Sequence, residues 1–558
     1  MELMKDSPFW IVGLNHGAHD GAAALLRDGE IVVIIEQERL SRRKHAINES
    51  PAQALASCLS YAGIGLEDVG VVALGSDHDA LAQWLGLSAR ERAEQLPFDD
   101  PARLFPSELF GDARRPRLVC VPHHMAHAAS TFWPSGLPDA AILIIDAMGE
   151  DCSTTLARGS SRGIEILETH GISSSLGYFY EAATRYAGFK TGEAGKLMGL
   201  ASYGRANQPM PLAFDGRLTW NSVPESRGIG RTMITERRQS LLKFFAASSY
   251  PFGIRADDSI LAYADFAASA QKALEECILS LATRACELAR SDNLVLAGGV
   301  ALNCSANGVL WRSHKFRQIF VQPMADDAGV ALGAALHTAH QLFEQAPPCQ
   351  PMAHAYWGLK DTAFDIEEAL MRFNLVGSKL ADNELLERTA KILAGGGIVA
   401  WHQGRAEVGP RALGARSLLG DPRRRQSLVR LNTAKKREMW RPLAPVVAAD
   451  AFHRYFNGCP SPFMIIAAEV RPEFRQQLPA ITHIDGSARP QAIKPLHNPR
   501  YFGLLQEFAK LSGFPILINT SLNIAEEPIA QSAQDSIRAF LESRADALVL
   551  DNYFVAAT

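Results

Sequence analysis

His123 and His127, in the string His123-His124-Met125-Ala126-His127, stand four residues apart. On a helix they share a face, so two imidazoles can meet one cation. A bare pair of this kind is more often ordinary polar helix surface. Two aspartates shift that balance. Asp146 ends the apolar run Ala141 to Ile145, and Asp327 stands in Pro323-Met324-Ala325-Asp326-Asp327-Ala328-Gly329 at the start of a helical pattern. A set of two nitrogen and two hard oxygen donors suits iron(II), manganese or zinc better than copper(I). His124 points about 100° away from His123 and is expected at the surface or behind the ligands.

Three loops nearby share one feature: a strand ends and small residues follow. The first is Gly13-Leu14-Asn15-His16-Gly17-Ala18-His19-Asp20-Gly21. The second, Asp146-Ala147-Met148-Gly149-Glu150, leads into the strand-like Ser153 to Leu156. The third, Leu296-Ala297-Gly298-Gly299-Val300-Ala301-Leu302-Asn303, joins a strand to a helix. Small residues let backbone N–H groups approach phosphate oxygens, and a carboxylate at a strand end can hold a metal. Each loop alone is weak. Their order, two loops set among strands and then a Gly-Gly loop opening a helix, resembles the actin, hexokinase and Hsp70 ATPase superfamily.

The second half carries different chemistry. Between Gly396 and Pro445 there are eleven Lys or Arg against three Asp or Glu, which predicts a basic face. Arg411, Arg416, Arg441 and Arg489 each lie in short strings rich in Gly, Pro or small polar residues, as loop positions aimed at a site do. Arg gives two-pronged contacts to an anion and Lys a point charge. The run Arg423-Arg424-Arg425 reads instead as a solvated helix face.

The elements that must position these residues are strands and helices in alternation. Trp10 to Leu14, Ala22 to Leu26 and Ile31 to Ile35 read as a meander with a tight turn at Asp28-Gly29. A helix over Ala52 to Ala62, strands at Val71 to Leu74 and Leu118 to Val121, and one long helix from Ala262 to Arg290 follow, with a strand at Leu294 to Leu296. Residues 205 to 260 are turn-rich and read as a surface insertion or lid. No internal repeat is visible. Gln345 to Pro351 is the expected linker, dividing the chain into domains 1–346 and 347–558, with a C-terminal stretch of about 25 residues left open to pack back on the first. The class is α/β.

Composition sets the bounds. At 558 residues, 47% hydrophobic and 21% charged, the chain is of ordinary globular type and long enough for two cores. A formal net charge of −4 argues against wholesale nucleic-acid binding. Eight cysteines without a CxxC pair suit reduced thiols, and the N-terminus lacks an apolar signal core. A cytoplasmic protein without membrane attachment is expected.

His123-x-x-x-His127, Asp146 in its strand-end loop, Gly298-Gly299-Val300-Ala301-Leu302-Asn303 and Asp327-Ala328-Gly329 resemble the nodulation-factor and antibiotic O-carbamoyltransferases, the tobramycin type above all. Gly195-Lys196-Leu197-Met198-Gly199-Leu200-Ala201 matches, as do His19-Asp20 and the trio Glu36, Glu38 and Arg39. In the second half the matching strings are Gly409-Pro410-Arg411-Ala412-Leu413-Gly414-Ala415-Arg416-Ser417, Lys435 to Pro442, Ser487 to Gln491 and Asn519-Thr520-Ser521-Leu522-Asn523. The second loop has Ala147 where the family writes glycine, which is acceptable only if φ there is negative. Leu522 replaces a phenylalanine.

The resemblance implies an actin-like ATPase domain followed by a YrdC-like domain. It implies a metal at His123, His127, Asp146 and Asp327, most often iron(II), with ATP and its magnesium near Gly149, Lys196, Gly298, Gly299 and Asn303. His19, oriented by Asp20, would deprotonate the acceptor hydroxyl. Arg411, Arg416, Lys436 (or its neighbour Lys435), Arg441 and Arg489 would hold carbamoyl phosphate, and Asn519 its amide. The implied sequence runs through carbamate and a carbamoyl-adenylate to a small natural-product hydroxyl, with no nucleic acid or membrane partner and a homodimer left open. Two alternatives remain: threonylcarbamoyl-type modification of tRNA, disfavoured by the acidic balance, and a non-enzymatic ATP-driven switch.

Overall fold

The computed structural model describes residues 8–248, 260–343 and 351–557. The expected linker, apart from Pro351, lies outside them, as does the 346/347 boundary.

Two compact units emerge. The first comprises 1–197, 204–302 and 313–352, the second 198–203, 303–312 and 353–558. The division is therefore not one cut: two short segments from the first half of the chain belong with the second unit.

The first unit is built on two five-stranded sheets. One holds β1 (Trp10–Asn15), β2 (Ala22–Arg27), β3 (Glu30–Glu36), β4 (Val69–Leu74) and β5 (Arg117–Cys120), in the order β3-β2-β1-β4-β5. The other holds β6 (Asp139–Ile145), β7 (Cys152–Ser160), β8 (Gly163–Gly171), β9 (Asn293–Ala297) and β10 (Gln318–Val321), in the order β8-β7-β6-β9-β10. In each, the first three strands form an antiparallel meander, and the fourth and fifth run parallel to the first. The sequence shows no repeat, yet the same topology occurs twice. That duplicated order is the actin, hexokinase and Hsp70 architecture.

The central strands are apolar runs with every residue of β1 buried, as strands covered on both faces must be. Four helices serve the site: α1 (His123–Ser135), α2 (Ala194–Ala201), α3 (Gly230–Ala247) and α4 (Ala264–Ala289), the last two residues shorter at its start than the sequence pattern suggests. A fifth, α5 (Ala328–Phe343), packs on β1 and α1. The turn Asp28-Gly29 has both residues at positive φ (52° and 87°), as a type I′ hairpin requires.

The stretch expected as an irregular lid is a short ribbon (Ala213–Phe214 with Leu218–Thr219) followed by the helix α3. Its fixed point is Arg237, 2% exposed, whose guanidinium donates to the carbonyls of Ser173, Val223 and Pro224. A helix with so few apolar residues shows little period, because tertiary hydrogen bonds rather than an apolar stripe hold it.

The second unit centres on an eight-stranded mixed sheet: β11 (Ser378–Lys379), β12 (Val399–His402), β13 (Arg416–Gly420), β14 (Ala444–Ala448), β15 (Gln491–Ile493), β16 (Ile516–Ser521), β17 (Ala547–Leu550) and β18 (Tyr553–Ala556), ordered β11-β18-β17-β12-β13-β16-β14-β15. The final helix, β17 and β18 are thus part of this unit. Among the described residues no helix is long and apolar enough to cross a membrane.

Candidate active site

In the first unit α1 opens at His123, directly after Pro122, and its first turn presents His123 and His127 on one face. Asp146 follows β6, and Asp327 immediately precedes α5. The four donors converge. His127 Nε2 stands 3.2 Å from Asp146 Oδ2 and 3.5 Å from Asp327 Oδ1, and His123 Nε2 stands 3.4 and 3.5 Å from the same two oxygens. All four ligand atoms lie within 4.8 Å of one another.

Donors bonded to one cation at about 2.0–2.2 Å keep separations of this size, so the residues fit a divalent metal. His127 is fully buried, and neither of its ring nitrogens has a hydrogen-bond partner among the described residues. Burial opposes charge on His123, but Asp327 and Asp146 outweigh it and raise its pKa well above the ordinary value. Burial and mutual repulsion oppose charge on the aspartates as well, yet the imidazoles draw both well below the carboxylate range. Two buried carboxylates facing two imidazoles call for positive charge, which a metal supplies in place of protons. Behind the ligands, Ser76 Oγ lies 3.1 Å from His123 Nδ1 and helps fix that ring.

His124 is not a surface group. It is 4% exposed, its Nδ1 lies 2.7 Å from Thr155 Oγ1, and it packs against Gly149, where a Cβ would come within 2.8 Å of the ring. Burial, reinforced by His123, lowers its pKa to about 3.

The three loops meet around this nest. Gly298 has φ 88°, and a Cβ there would run into the carbonyl of Ile145. Gly299 stands 3.4 Å, measured from an ideal Cβ, from Asp146 Oδ1. The close approach of loops two and three therefore requires glycine at 298. Ala147 is absent from the positive-φ residues, so its replacement of glycine costs nothing.

His19 sits at the edge of the nest. Its Nδ1 lies 3.0 Å from Asp20 Oδ2 and 3.7 Å from Asp327 Oδ2, and its side chain is 55% exposed. Asp20 adopts φ 53°, held there because its N–H donates to the His45 carbonyl (2.7 Å) and its Oδ1 meets His45 Nδ1 (2.8 Å). His45 is anchored by its own N–H on Glu38 Oε2, and Arg39 bridges Glu38 and Glu36. Glu36, Glu38 and Arg39 thus serve the His19 loop through His45, a residue the sequence did not single out. The hydrogen bond from Asp20, then Asp327, raise the His19 pKa to about 9 against burial.

Lys196, on the first turn of α2, pairs with Glu193 at 2.7 Å. Asn303 falls in the second unit, and its Oδ1 accepts the Ala306 N–H at 3.0 Å. That is a helix-capping contact at the start of the helix Cys304–Arg312.

In the second unit Arg411, Arg441 and Arg489 do cluster, around a fourth cation that sequence reasoning missed. Burial, then Arg441, Arg489 and Arg411, hold the Arg437 guanidinium down to about 9, with Glu438 opposing. Asn519 is 1% exposed; its Nδ2 donates to the Ala412 carbonyl and to Gln491 Oε1, and its Oδ1 has no donor among the described residues.

One expectation is corrected, and the two lysines left open differ in burial. Arg416 is fully buried in β13 and donates to the carbonyls of Gln531, Gln403, Gly404 and Ala415, facing Asp361. Its guanidinium ties together the loop after β12 and the segment before the helix Ala533–Ser543. Lys436 is exposed at φ 49°, whereas Lys435 is buried and donates to Ser521 and Asn523. The chain turns left-handed after the helix Arg425–Ala434, which turns the second lysine outward. Nor is Arg423-Arg424 a merely solvated face: both pair with the fully buried Asp421.

Comparison with known proteins shows the family. The carbamoyltransferase N-terminus model matches residues 10–95 and 107–336, and the carbamoyltransferase C-terminus model matches 390–557. The chain belongs to the carbamoyltransferase family. It is 37% identical to an uncharacterized protein of Synechocystis over 98% of this chain and 97% of that one. It is 36% identical to nodulation protein NolNO of Sinorhizobium fredii, covering 96% and 79%, and 30% identical to nodulation protein U of Rhizobium tropici, covering 91% and 89%. Among solved structures, full-length HypF in its phosphate- and nucleotide-bound form aligns with a TM-score of 0.37 at 13% identity, covering 61% and 57%. In this carbamoyltransferase the string Lys435-Lys436-Arg437 was the available signal for Lys435 and Arg437, and which of its three cations faces inward is a matter of backbone turn alone.

Proposed function

We propose that the chain is an O-carbamoyltransferase that uses carbamoyl phosphate and ATP to carbamoylate a hydroxyl of a small natural product. The observation that carries this reading is the His123–His127–Asp146–Asp327 nest with His19 on its open edge, where the three strand-end loops meet.

The second unit, read as YrdC-like, holds carbamoyl phosphate. Arg411, Arg437, Arg441 and Arg489 face its phosphate, and its amide donates to Asn519 Oδ1, the buried acceptor left without a donor. Water attacks the carbonyl carbon, the C–O bond to phosphate breaks, and carbamate and inorganic phosphate result. In the first unit a carbamate oxygen attacks the α-phosphorus of ATP, and pyrophosphate leaves with the bridging oxygen. The acceptor oxygen then attacks the carbamoyl carbon of the adenylate, AMP departs, and His19 takes the hydroxyl proton.

Asp20 occupies the Nδ1 side of His19, leaving Nε2 as the acceptor, the arrangement of an oriented general base. His123, His127, Asp146 and Asp327 would hold a divalent cation, for which the donor set suits iron(II), manganese or zinc, and that cation would supply positive charge for the phosphate chemistry.

The test is incubation with ATP, carbamoyl phosphate and a panel of aminoglycoside, macrolide and cephem acceptors, read by mass for a carbamoyl gain. Pyrophosphate release is followed in the same tube. His19→Asn is expected to keep pyrophosphate release and lose transfer by about 10²–10⁴-fold. A parallel fall in both would assign His19 to the ATP step instead.

A further inference from the structure

The loop that carries Arg411 is gripped from both sides. On one side stands Glu407, 2% exposed, whose Oε1 accepts the N–H of Leu413 at 2.6 Å and those of Ala415 and Arg416 at 3.3 Å each. On the other, the Leu413 carbonyl accepts the Tyr356 hydroxyl and Gln491 Nε2, both at 2.7 Å, and the Ala412 carbonyl accepts Asn519 Nδ2 at 3.1 Å. Between them Gly414 turns at φ 102°, where any side chain would collide with the Tyr501 ring.

A buried carboxylate without a cationic partner is costly unless several donors satisfy it. Here three backbone amides from the residues that follow Arg411 meet Oε1, while Oε2 is buried with no partner among the described residues. No contact of Glu407 with a substrate is needed for it to matter. The bonds that Glu407 accepts fix the backbone that follows Arg411, and the Ala412 carbonyl of the same loop meets the Asn519 amide.

We propose that Glu407 is a positioning residue for carbamoyl phosphate binding: its carboxylate sets the Arg411 loop, opposed by the Tyr356 hydroxyl, and so the affinity of the arginine cluster for the phosphate. This rests on the reading of Arg411 as a phosphate ligand.

The test measures the KM for carbamoyl phosphate and for ATP, with the melting temperature, in the full-length protein. Glu407→Gln keeps the shape but replaces a charged acceptor by a neutral amide. It is expected to raise the carbamoyl phosphate KM roughly tenfold while leaving the ATP KM within twofold. Tyr356→Phe, which deletes only the opposing hydroxyl, is expected to raise the same KM by about threefold. A residue that merely supports the fold would lower the active fraction or both affinities together.

Arg411→Ala separates the two ideas. If it raises the carbamoyl phosphate KM while Glu407→Gln leaves it within twofold of the wild type, the positioning role is wrong and the site stands. If Arg411→Ala leaves that KM unchanged, the site assignment fails and the positioning role with it. Should Glu407→Gln yield no soluble protein, Tyr356→Phe decides: an unchanged KM overturns the proposal.

Discussion

At the scale of single residues, the nest is the most demanding feature, because two carboxylates and two imidazoles are buried within one small volume. Removing either kind of donor breaks the set. His123→Ala and Asp327→Ala are each expected to reduce bound metal by at least tenfold and to abolish transfer, with the fold retained. Elemental analysis of the purified variants checks this, and unchanged metal in both would defeat the assignment. His16 tests burial by another route. It is 2% exposed and stacked on His78 at 4.0 Å, and burial, then His78, hold its pKa down to about 3 against Asp99. The unfolded chain takes up this proton near pH 6.5 and the folded one does not until about pH 3, so stability falls as pH drops through that window. By pH 5 the loss from this group is about 2 kcal/mol. In the presence of a chelator, His16→Gln should therefore show a smaller drop in melting temperature between pH 7 and pH 5 than the wild type. Equal drops would mean that His16 is not held neutral.

Elements matter here through their ends. β6 delivers Asp146, β9 delivers Gly298, and the two strands run parallel side by side, so their following loops emerge against one another. The approach is tight: Gly298 meets the Ile145 carbonyl with no room for a side chain, at a backbone angle that disfavours one. Gly298→Ala is expected to cost about 1–3 kcal/mol of stability and to displace Asp146. Thermal unfolding measures the first and metal content the second. Wild-type values for both would show that the loop relaxes freely. α1 illustrates the same principle from the helical side. Its start is fixed by Glu150 Oε1, which accepts the His123 N–H at 2.8 Å, so the loop after Asp146 also sets the register of the two histidines.

For the whole molecule, the consequence lies in how the chain is shared between two units. Residues 198–203 and 303–312 belong with the second. Ala467 N–H donates to the Cys304 carbonyl, Asn307 Nδ2 to the Ile465 carbonyl, and the Tyr203 hydroxyl to the Trp440 carbonyl. A fragment that starts at residue 353 loses all three partners and uncovers the apolar surface beneath them. It should be less stable than the same unit in the full chain, by about 1 kcal/mol or more for each orphaned group. Urea unfolding followed at the second unit's tryptophans would show this, and coincident midpoints would refute it.

The sequence by itself determined the α/β class, many of the strands and the four residues of the nest, because alternating apolar runs and strand-end loops are local patterns with local causes. β1, β2, β3 and the helix Ala52–Ala62 fall within a residue or so of their sequence positions for that reason. Other features depended on partners far along the chain. Which of Lys435, Lys436 and Arg437 turns inward rests on one left-handed residue. Arg416 left the expected phosphate set because its strand pairs β12 with β16 and its guanidinium finds carbonyls there. Glu407, His45 and His124 carry no local mark, since what defines them is the backbone or ring they hold. The duplicated sheet is equally silent in sequence: a topology is fixed by which strands pair, and many different side chains satisfy the same pairing.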